Sequence, residues 1–209
     1  MTYFADKENI TFYEKIYKNG QNHKFPNLDL VRIHHSHLKK NLGSVIDYGA
    51  GSGENSKFLA QNGYDVFAID SSKSACKIIK NKNSKLNKNQ KIKIINIKRF
   101  NKLPFKNSSF DNIICLSVLS LIGPRKNIKD LINEFLRILK PGGLLLIDIN
   151  GKKGHFAKDK TKKIICFKSK KEFSKLINFN YAKILFNGEI YKNYSNISDH
   201  EFIMLLKKL

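Results

Sequence analysis

The chain has 209 residues, of which 41% are hydrophobic, and a formal net charge of +22. This length and apolar share are typical of one globular domain with a sizeable core. No run of about 18 uncharged apolar residues occurs, which excludes a membrane-spanning helix, and the first residues lack the basic and apolar regions of a secretory signal. We therefore expect a cytoplasmic protein with no membrane partner.

Lysine supplies almost all of the positive charge, because arginine occurs only at Arg32, Arg99, Arg125 and Arg137. Recognition of phosphates and bases favours arginine for its planar guanidinium group. The lysines are spread along the chain among asparagine and isoleucine, a mixture that an AT-rich coding sequence would also produce. Nucleic acid is therefore a partner that the composition allows but does not favour, although the net charge supports weak attraction to anionic partners.

Strand patterns and helix patterns alternate along the chain. They predict strands at 44–48, 64–70, 91–97, 109–116 and 144–149, and helices at 53–62, 73–82 and 127–140. The last of these helices has the most regular pattern, because its apolar residues recur three and four positions apart along one face. The stretch PGG at 141–143 is predicted to end it.

Strands that alternate with helices at this spacing indicate a parallel sheet. Two more strands are predicted around 181–186 and 200–206 with no helix between them, which favours an antiparallel hairpin at the sheet edge. The sequence therefore predicts an α/β fold. Its sheet is doubly wound and mostly parallel, with about seven strands, an antiparallel C-terminal hairpin strand and helices on both faces.

A further helix is predicted ahead of the first strand, with Leu28, Val31, His35, Leu38 and Leu42 on one buried face. The histidines at 34 and 37 stand three residues apart, a spacing that two metal ligands can use. No cysteine or nearby carboxylate completes a ligand set. We therefore expect no metal site.

The stretch DYGAGSGENS, residues 47–56, places three glycines at alternate positions directly after the first predicted strand. Glycine in such a place supplies backbone angles with positive φ or lets a ligand approach the main chain. The spacing differs from the G-x-G-x-x-G dinucleotide fingerprint, because Glu54 occupies the sixth position, and no Lys-Ser or Lys-Thr completes a phosphate loop. Asp47 and Glu54 would repel a pyrophosphate, so the loop suits a ligand that carries positive charge.

Four ordered stretches resemble motifs of the Rossmann-like, class I S-adenosylmethionine-dependent methyltransferases. They are VIDYGAGSG at 45–53, VFAID at 66–70, LPFKNSSFDNIICLSVLSLI at 103–122 and LRILKPGGLLLIDI at 136–149. Residues 19–42 also resemble the segment that precedes the first motif in small-molecule enzymes of this class. The resemblance implies S-adenosylmethionine as cofactor, a molecule with a sulfonium and an ammonium group and no phosphate.

The resemblance also implies roles for residues in these motifs. Gly49, Ala50 and Gly51 would let the backbone lie against the methionine part of the cofactor. Asp47 would hold the loop and favour the cofactor's ammonium group, directly or through water. Asp70 would accept hydrogen bonds from both ribose hydroxyls, with Ser71 beside it.

Two further parts of the cofactor site follow from the same resemblance. Cys115, Leu116 and Ser117, just past the fourth strand, would border the cofactor and face the substrate. Before LPF the family commonly carries an acid, where this chain has Arg99. Phe100 would stack on the adenine or flank it, or else belong to the core.

Methyl transfer is an in-line displacement at a carbon that the sulfonium already activates, so the cofactor carries the chemistry and the protein aligns the reactants. The sequence does not identify a catalytic residue. Should the nucleophile need a base, the candidates are His155, His23 and Tyr194, in that order. No N/D-P-P-Y stretch follows the fourth strand, which argues against methylation of base amino groups.

We therefore expect methyl transfer from S-adenosylmethionine to an oxygen or nitrogen nucleophile of a small molecule. One domain, 1–209, would hold a helical cap at 1–42, a cofactor-binding core at 43–150, and C-terminal strands and substrate-side elements at 151–209. Two alternatives stay open: an RNA or protein methyltransferase that uses the lysine-rich surface, and a cofactor-binding module without catalysis. The sequence does not predict the oligomeric state.

Overall fold

The computed structural model describes residues 7–97, 102–158, 163–194 and 197–209. The helices are α1 (Lys7–Lys18), α2 (Leu28–Ser36), α3 (Glu54–Gln61), α4 (Lys73–Asn83), α5 (Arg125–Ile138) and α6 (Lys170–Ser174). The strands are β1 (Ser44–Tyr48), β2 (Asp65–Asp70), β3 (Lys93–Asn96), β4 (Phe110–Cys115), β5 (Leu139–Asn150), β6 (Ala182–Tyr194) and β7 (Ile197–Lys208). Within the described ranges, no helix combines the length and the apolar character that crossing a bilayer requires.

The seven strands form one sheet in the order β3-β2-β1-β4-β5-β7-β6. β1 pairs in parallel with β2 and β4, and the parallel part continues outward to β3 on one side and β5 on the other. β7 is antiparallel to both of its neighbours, β5 and β6. The predicted parallel sheet with an antiparallel C-terminal hairpin is confirmed.

Helices cover both faces of the sheet. Successive residues of a strand point to opposite faces, and Val45 and Ile46 of β1 accordingly belong to different cores. Ile46 packs in a core with Phe135 of α5. Val45 packs in a second core with Leu59 of α3 and with apolar side chains of α2 and α4. The carboxyl ends of β1, β2 and β4 therefore open at one edge between two layers of helices.

The boundary between α5 and β5 differs from the prediction. Leu139 already belongs to the strand, and the Pro-Gly-Gly stretch at 141–143 lies inside β5 rather than in a turn before it. Pairing with β4 passes from Phe110 opposite Leu139 to Asn112 opposite Leu144, a bulge that absorbs the extra residues. Glycine in a strand pattern often marks such a bulge.

The buried face predicted for the second helix was wrong except at Leu38, which is buried. Leu30 and Ile33 are buried, whereas Leu28 is 65% exposed and His35 is exposed. Asn27 caps α2 by accepting hydrogen bonds from the first-turn amides through its Oδ1, and the helix has only 9 residues. The predicted helix ran to residue 42. It therefore combined α2 with a separate short turn, Leu38–Lys40, whose residues do not continue the period of α2.

Candidate functional site

The loop between β1 and α3 is built on three glycines with positive φ: Gly49 (74°), Gly51 (54°) and Gly53 (85°). Residues with a side chain rarely adopt backbone angles in this region. The amides of Gly49 and Ala50 both donate to the carbonyl oxygen of Ile69 in β2, at 2.8 and 3.0 Å. A Cβ at Gly51 would lie 2.5 Å from the hydroxyl oxygen of Tyr17. The loop is thus fixed by β2 and presents bare main chain at the sheet edge.

Asp70, the last residue of β2, is 9% exposed and holds this loop. Its Oδ2 accepts a hydrogen bond from the Gly51 amide and its Oδ1 accepts one from the Ser72 amide, both at 2.8 Å. Burial raises the pKa of Asp70, while these two bonds act in the opposite direction. A carboxylate offers about four lone-pair positions, so each oxygen can still accept a hydrogen bond from a ligand hydroxyl.

Asp47 lies beneath the loop, 2% exposed. Its Oδ2 accepts a hydrogen bond from the hydroxyl of Ser56 in α3, at 2.5 Å. Burial raises the pKa of Asp47 to about 7, and the nearby Asp70 charge adds to this rise, against the lowering effect of the Ser56 bond. Asp47 therefore joins β1 to α3 from below, and it lines neither of the cavities described next.

Two cavities open on the glycine loop and share Tyr13, Tyr17, Gly49 and Ser117 as lining residues. The smaller has a volume of about 110 Å³ and extends to the end of β2. The larger, about 510 Å³, lies between the glycine loop and residues 12–27. The shared residues show that the two spaces adjoin at the loop.

α1 crosses over these cavities and is held at both ends. The Glu14 carboxylate accepts hydrogen bonds from the hydroxyl and amide of Ser74 in α4, at 2.7 and 3.3 Å. At the other end, the Asn9 side-chain amide donates to the carbonyl oxygen of Leu121 at 3.0 Å. Burial raises the pKa of Tyr17, and the charge of Asp70 raises it further, so its phenol stays protonated at neutral pH.

Glu54, in the first turn of α3, faces the larger cavity but already has a cation beside it. Its Oε1 is 2.6 Å from the Lys82 ammonium nitrogen. Lys82 also donates to the carbonyl oxygens of Ser52 at 2.8 Å and His23 at 3.2 Å. The sequence argument that Glu54 suits a cationic ligand is therefore weakened, because Lys82 supplies the opposite charge. The same ammonium ties the segment before α2 to the glycine loop.

Ser117, two residues after the end of β4, has a φ of 59° although it is not glycine. Its amide donates to Oδ1 of Asp148 in β5 at 2.6 Å. Asp148 is 4% exposed, and burial raises its pKa to about 8. The buried side chain of Asp148 thus holds a strained residue that lines both cavities.

Most of the cofactor residues predicted from sequence lie at these cavities. Gly49 lines both; Ala50, Gly51 and Leu116 line the larger, and Asp70 and Ser71 line the smaller. Cys115 is fully buried and, like Asp47, lines neither cavity. Phe100 lies outside the described residues.

The three base candidates are placed differently. His23 lines the larger cavity. His155 does not, although its neighbour Phe156 does; its Nδ1 is 2.8 Å from Oδ1 of Asp199. The side chain of Tyr194 lies outside the described residues.

The sequence analysis missed the contribution of α1. Phe12, Tyr13, Ile16 and Tyr17 all line the larger cavity. Their spacing of one, four and five residues, within FYEKIY, is that of one helical face, so a local signal was present. Ser117 carried no comparable signal for its positive φ, because glycine is the residue that usually marks such a position.

The family profile described as "Methyltransferase domain" matches residues 46–147. Among curated proteins, the chain is similar to a demethylmenaquinone methyltransferase of Clavibacter sepedonicus, with 31% identity over 104 residues. This match covers 49% of the chain and 39% of the relative, so the chain matches about two fifths of the relative's length.

Solved structures share the fold over most of the chain. A SAM-dependent methyltransferase from Methanosarcina mazei has a TM-score of 0.70 at 23% identity, covering 85% of this chain and 97% of that one. The 1,6-didemethyltoxoflavin-N1-methyltransferase of Burkholderia thailandensis, solved with S-adenosylhomocysteine, has a TM-score of 0.74 at 15% identity, covering 95% and 86%. Residues 46–147, just under half of the chain, thus match the methyltransferase family and contain the glycine loop and the buried acid at the end of β2. The chain has the fold of the Rossmann-like, class I methyltransferases, whose cofactor is S-adenosylmethionine.

Proposed function

We propose that the chain transfers the methyl group of S-adenosylmethionine to an oxygen or nitrogen nucleophile of a small molecule. The observation that carries this proposal is the pair of adjoining cavities. One reaches Asp70, where a ribose could be bound, and the other is bordered by residues 12–27. A cofactor and a separate small acceptor can thus occupy one continuous space.

The residues present fit the cofactor. Asp70 has lone pairs left for the ribose hydroxyls after bonding the amides of Gly51 and Ser72. Gly49 and Gly51 offer main chain without side chains to the methionine part. When bound, the cofactor supplies a methyl group on a sulfonium sulfur, which is an excellent leaving group.

The rest of the chain orients the reactants and excludes water. We assign residues 1–42 to a cap, 43–150 to the cofactor-binding core and 151–209 to substrate-side elements of the same domain. The ties from Glu14 to Ser74 and from Lys82 to His23 support this division, because they hold the cap onto the core. A cap held in this way positions the acceptor beside the cofactor.

Of the base candidates, His23 has the strongest support because it lines the larger cavity. Its backbone amide donates to the Ser52 hydroxyl at 3.0 Å, which places the residue next to the glycine loop. An acceptor hydroxyl or amine bound there could pass its proton to the imidazole. His155 is less favoured, since it does not line the cavity.

The names of the relatives also support a small acceptor. Demethylmenaquinone and 1,6-didemethyltoxoflavin, the molecules in those names, are both small compared with RNA or protein. We do not transfer either substrate to this chain, because the first match covers 39% of the relative and the second has 15% identity.

The test is incubation of purified protein with radiolabelled S-adenosylmethionine and a fractionated small-molecule extract, with RNA and protein fractions alongside. We expect label in the small-molecule fractions. Label found only in macromolecules would overturn the proposal. Calorimetry with S-adenosylhomocysteine serves as the parallel test of the cofactor site.

The net charge of +22 supports weak attraction to anionic partners, which allows a second candidate: methylation of RNA or of an acidic protein through the lysine-rich surface. Such binding depends on counterion release and falls steeply with salt. Binding of RNA that persists at physiological salt and brings methylation with it would favour this candidate. A small acceptor would instead keep its affinity as the salt concentration rises.

A further inference from the structure

We infer that the acceptor is a flat aromatic molecule without an anionic group, bound in the larger cavity against phenylalanine and tyrosine rings. This inference rests on the proposed function and adds the class of substrate to it. Three observations carry it: the aromatic walls, the exposure of two rings at the cavity, and the absence of lysine and arginine from the described lining.

Aromatic side chains from three segments of the chain converge on the larger cavity. They are Phe12, Tyr13 and Tyr17 of α1, Phe25 of the following loop, and Phe156 beyond β5. Phe12 and Tyr13 already meet edge to face, with ring centroids 5.3 Å apart. A ligand ring packed offset or edge to face against such side chains gains stabilisation beyond the burial of its area, a gain that a saturated ring lacks. The walls therefore favour an aromatic acceptor over an aliphatic one.

Phe25 stands at the cavity with 78% of its surface exposed. An apolar surface of this size is costly to leave in water, and a ligand ring packed against it would remove part of it from solvent. Phe12, on the same cavity, is 37% exposed. Both rings thus offer apolar area that a bound acceptor can cover.

No lysine or arginine lines the larger cavity in the part of the chain that the structure describes, although the sequence has 39 of them. The acidic lining residue, Glu54, has its carboxylate 2.6 Å from Lys82, which also binds the carbonyl oxygens of Ser52 and His23. An anionic acceptor would enter beside a carboxylate and find the nearest cation already engaged. Burial of a charge without a partner is strongly unfavourable.

The polar groups of the lining suit a neutral acceptor. Gln21, Asn55 and His23 offer amide and imidazole groups. Asn55 is held in place by the Asn27 amide, which donates to its Oδ1 at 2.8 Å. Neutral donors and acceptors of this kind can orient a hydroxyl or ring nitrogen without requiring a charge.

Three probes separate ring shape from charge. 2-Naphthol is flat and neutral, 2-decalol has the same carbon skeleton but is saturated, and 2-naphthoate is flat and anionic. Each is titrated calorimetrically into the full chain, with and without saturating S-adenosylhomocysteine. We expect 2-naphthol to bind with one site, and both other probes to bind at least about tenfold more weakly.

Alanine variants of the lining rings test whether 2-naphthol binds in the larger cavity. Phe25→Ala and Phe156→Ala should each weaken the binding of 2-naphthol about two- to tenfold and leave the affinity for S-adenosylhomocysteine unchanged. The matched control is Phe179→Ala, because Phe179 is 50% exposed but lines neither cavity. It should change neither affinity.

The outcomes separate the two proposals. If the wild type does not bind S-adenosylhomocysteine, the proposed function is contradicted. Normal S-adenosylhomocysteine binding with 2-naphthoate or 2-decalol equal to 2-naphthol would overturn the inference alone. So would 2-naphthol binding that Phe25→Ala and Phe156→Ala leave intact, because the ring would then bind elsewhere.

Discussion

The Gly51 amide donates a hydrogen bond to Oδ2 of Asp70 at 2.8 Å. This bond joins the loop after β1 to the acid that ends β2. The two parts of the cofactor site therefore do not act independently: a change at Asp70 alters the ligand contact and also the support of the glycine loop. Predictions for this residue must separate the two effects.

Replacing Asp70 by alanine should weaken S-adenosylhomocysteine binding by about 1.5–3 kcal/mol, the range for lost hydrogen bonds to a charged group. It should also lower the free energy of unfolding, because the Gly51 and Ser72 amides lose their shared acceptor. Calorimetry measures the first effect and urea unfolding the second. Unchanged affinity would contradict the role assigned to Asp70.

Asp65→Asn is the matched control at the other end of β2. Asp65 is exposed and pairs with Lys93 at 2.8 Å, far from the cavities along the strand. Its replacement should leave S-adenosylhomocysteine affinity unchanged and shift stability by less than about 1 kcal/mol. Equal losses of affinity in both variants would show that the effect of replacing Asp70 is not specific to the cavities.

Gly51→Ala should destabilise the protein for two reasons. The residue has a φ of 54°, and its Cβ would lie 2.5 Å from the Tyr17 hydroxyl oxygen. We expect a loss of about 1–3 kcal/mol in unfolding free energy. Adding Tyr17→Phe removes the colliding oxygen and should recover part of that loss.

Gly63→Ala gives the cost of the backbone conformation alone. Its φ is 89°, and a Cβ there meets no described atom within 4 Å. The difference between the Gly51 and Gly63 variants then measures the collision with Tyr17. If Tyr17→Phe recovers nothing, the phenol does not rest on the loop as described.

Local sequence patterns were sufficient to predict most of the fold. The alternation of strands and helices predicted the parallel sheet, and the acid at the end of β2 was placed correctly because a strand boundary is a local property. The position of Asp70 at the smaller cavity follows from the parallel pairing of β1 with β2. Motif order and sheet topology together were thus enough to locate it.

The direction of the side chains at the ends of β1 and β4 could not be predicted from the sequence. Asp47 and Cys115 stand in cofactor motifs, yet both are buried and line neither cavity. Asp47 bonds Ser56 instead, a contact that depends on where α3 packs. A one-residue difference in strand position decides which face a side chain takes, and motif spacing alone does not give that position relative to the helices.

The cap was the least predictable part. FYEKIY carries a helical face, but which surface that face covers depends on the bonds of Glu14 to Ser74 and Asn9 to Leu121. These partners are 60 and 112 residues away in sequence. Lone polar pairs at such separations leave no periodic signal. The aromatic lining of the larger cavity could therefore be recognised only in the folded chain.

Asp47→Asn should change how stability depends on pH. Burial raises the pKa of Asp47 from 3.8 to about 7, so the folded chain keeps a proton that the unfolded chain has released. This contribution to stability is fully present below about pH 4 and is lost as pH rises through about 7. The variant has no such proton, while its amide oxygen can still accept from Ser56.

The stability of Asp47→Asn relative to wild type should therefore increase between pH 4 and 7, with a slope of up to about 1.4 kcal/mol per pH unit. Urea unfolding at half-unit pH intervals measures this difference. Asp65→Asn, at an exposed acid, serves as the reference curve. Parallel curves for wild type and Asp47→Asn would mean that Asp47 ionises as readily in the folded chain as in the unfolded one.

Lys82→Met should be far more damaging than Lys93→Met, although each breaks one ion pair. The side chains of Lys82 and Glu54 are 16% and 9% exposed, whereas those of Lys93 and Asp65 are 55% and 50% exposed. Losing Lys82 leaves a buried carboxylate unpaired and should cost about 2–4 kcal/mol of unfolding free energy, against less than about 1 kcal/mol for Lys93. Adding Glu54→Gln to Lys82→Met should restore most of the loss, because the uncompensated charge is then gone. If chemical denaturation shows no such recovery, Lys82 stabilises the fold through its bonds to the carbonyl oxygens of Ser52 and His23 rather than through the pair with Glu54.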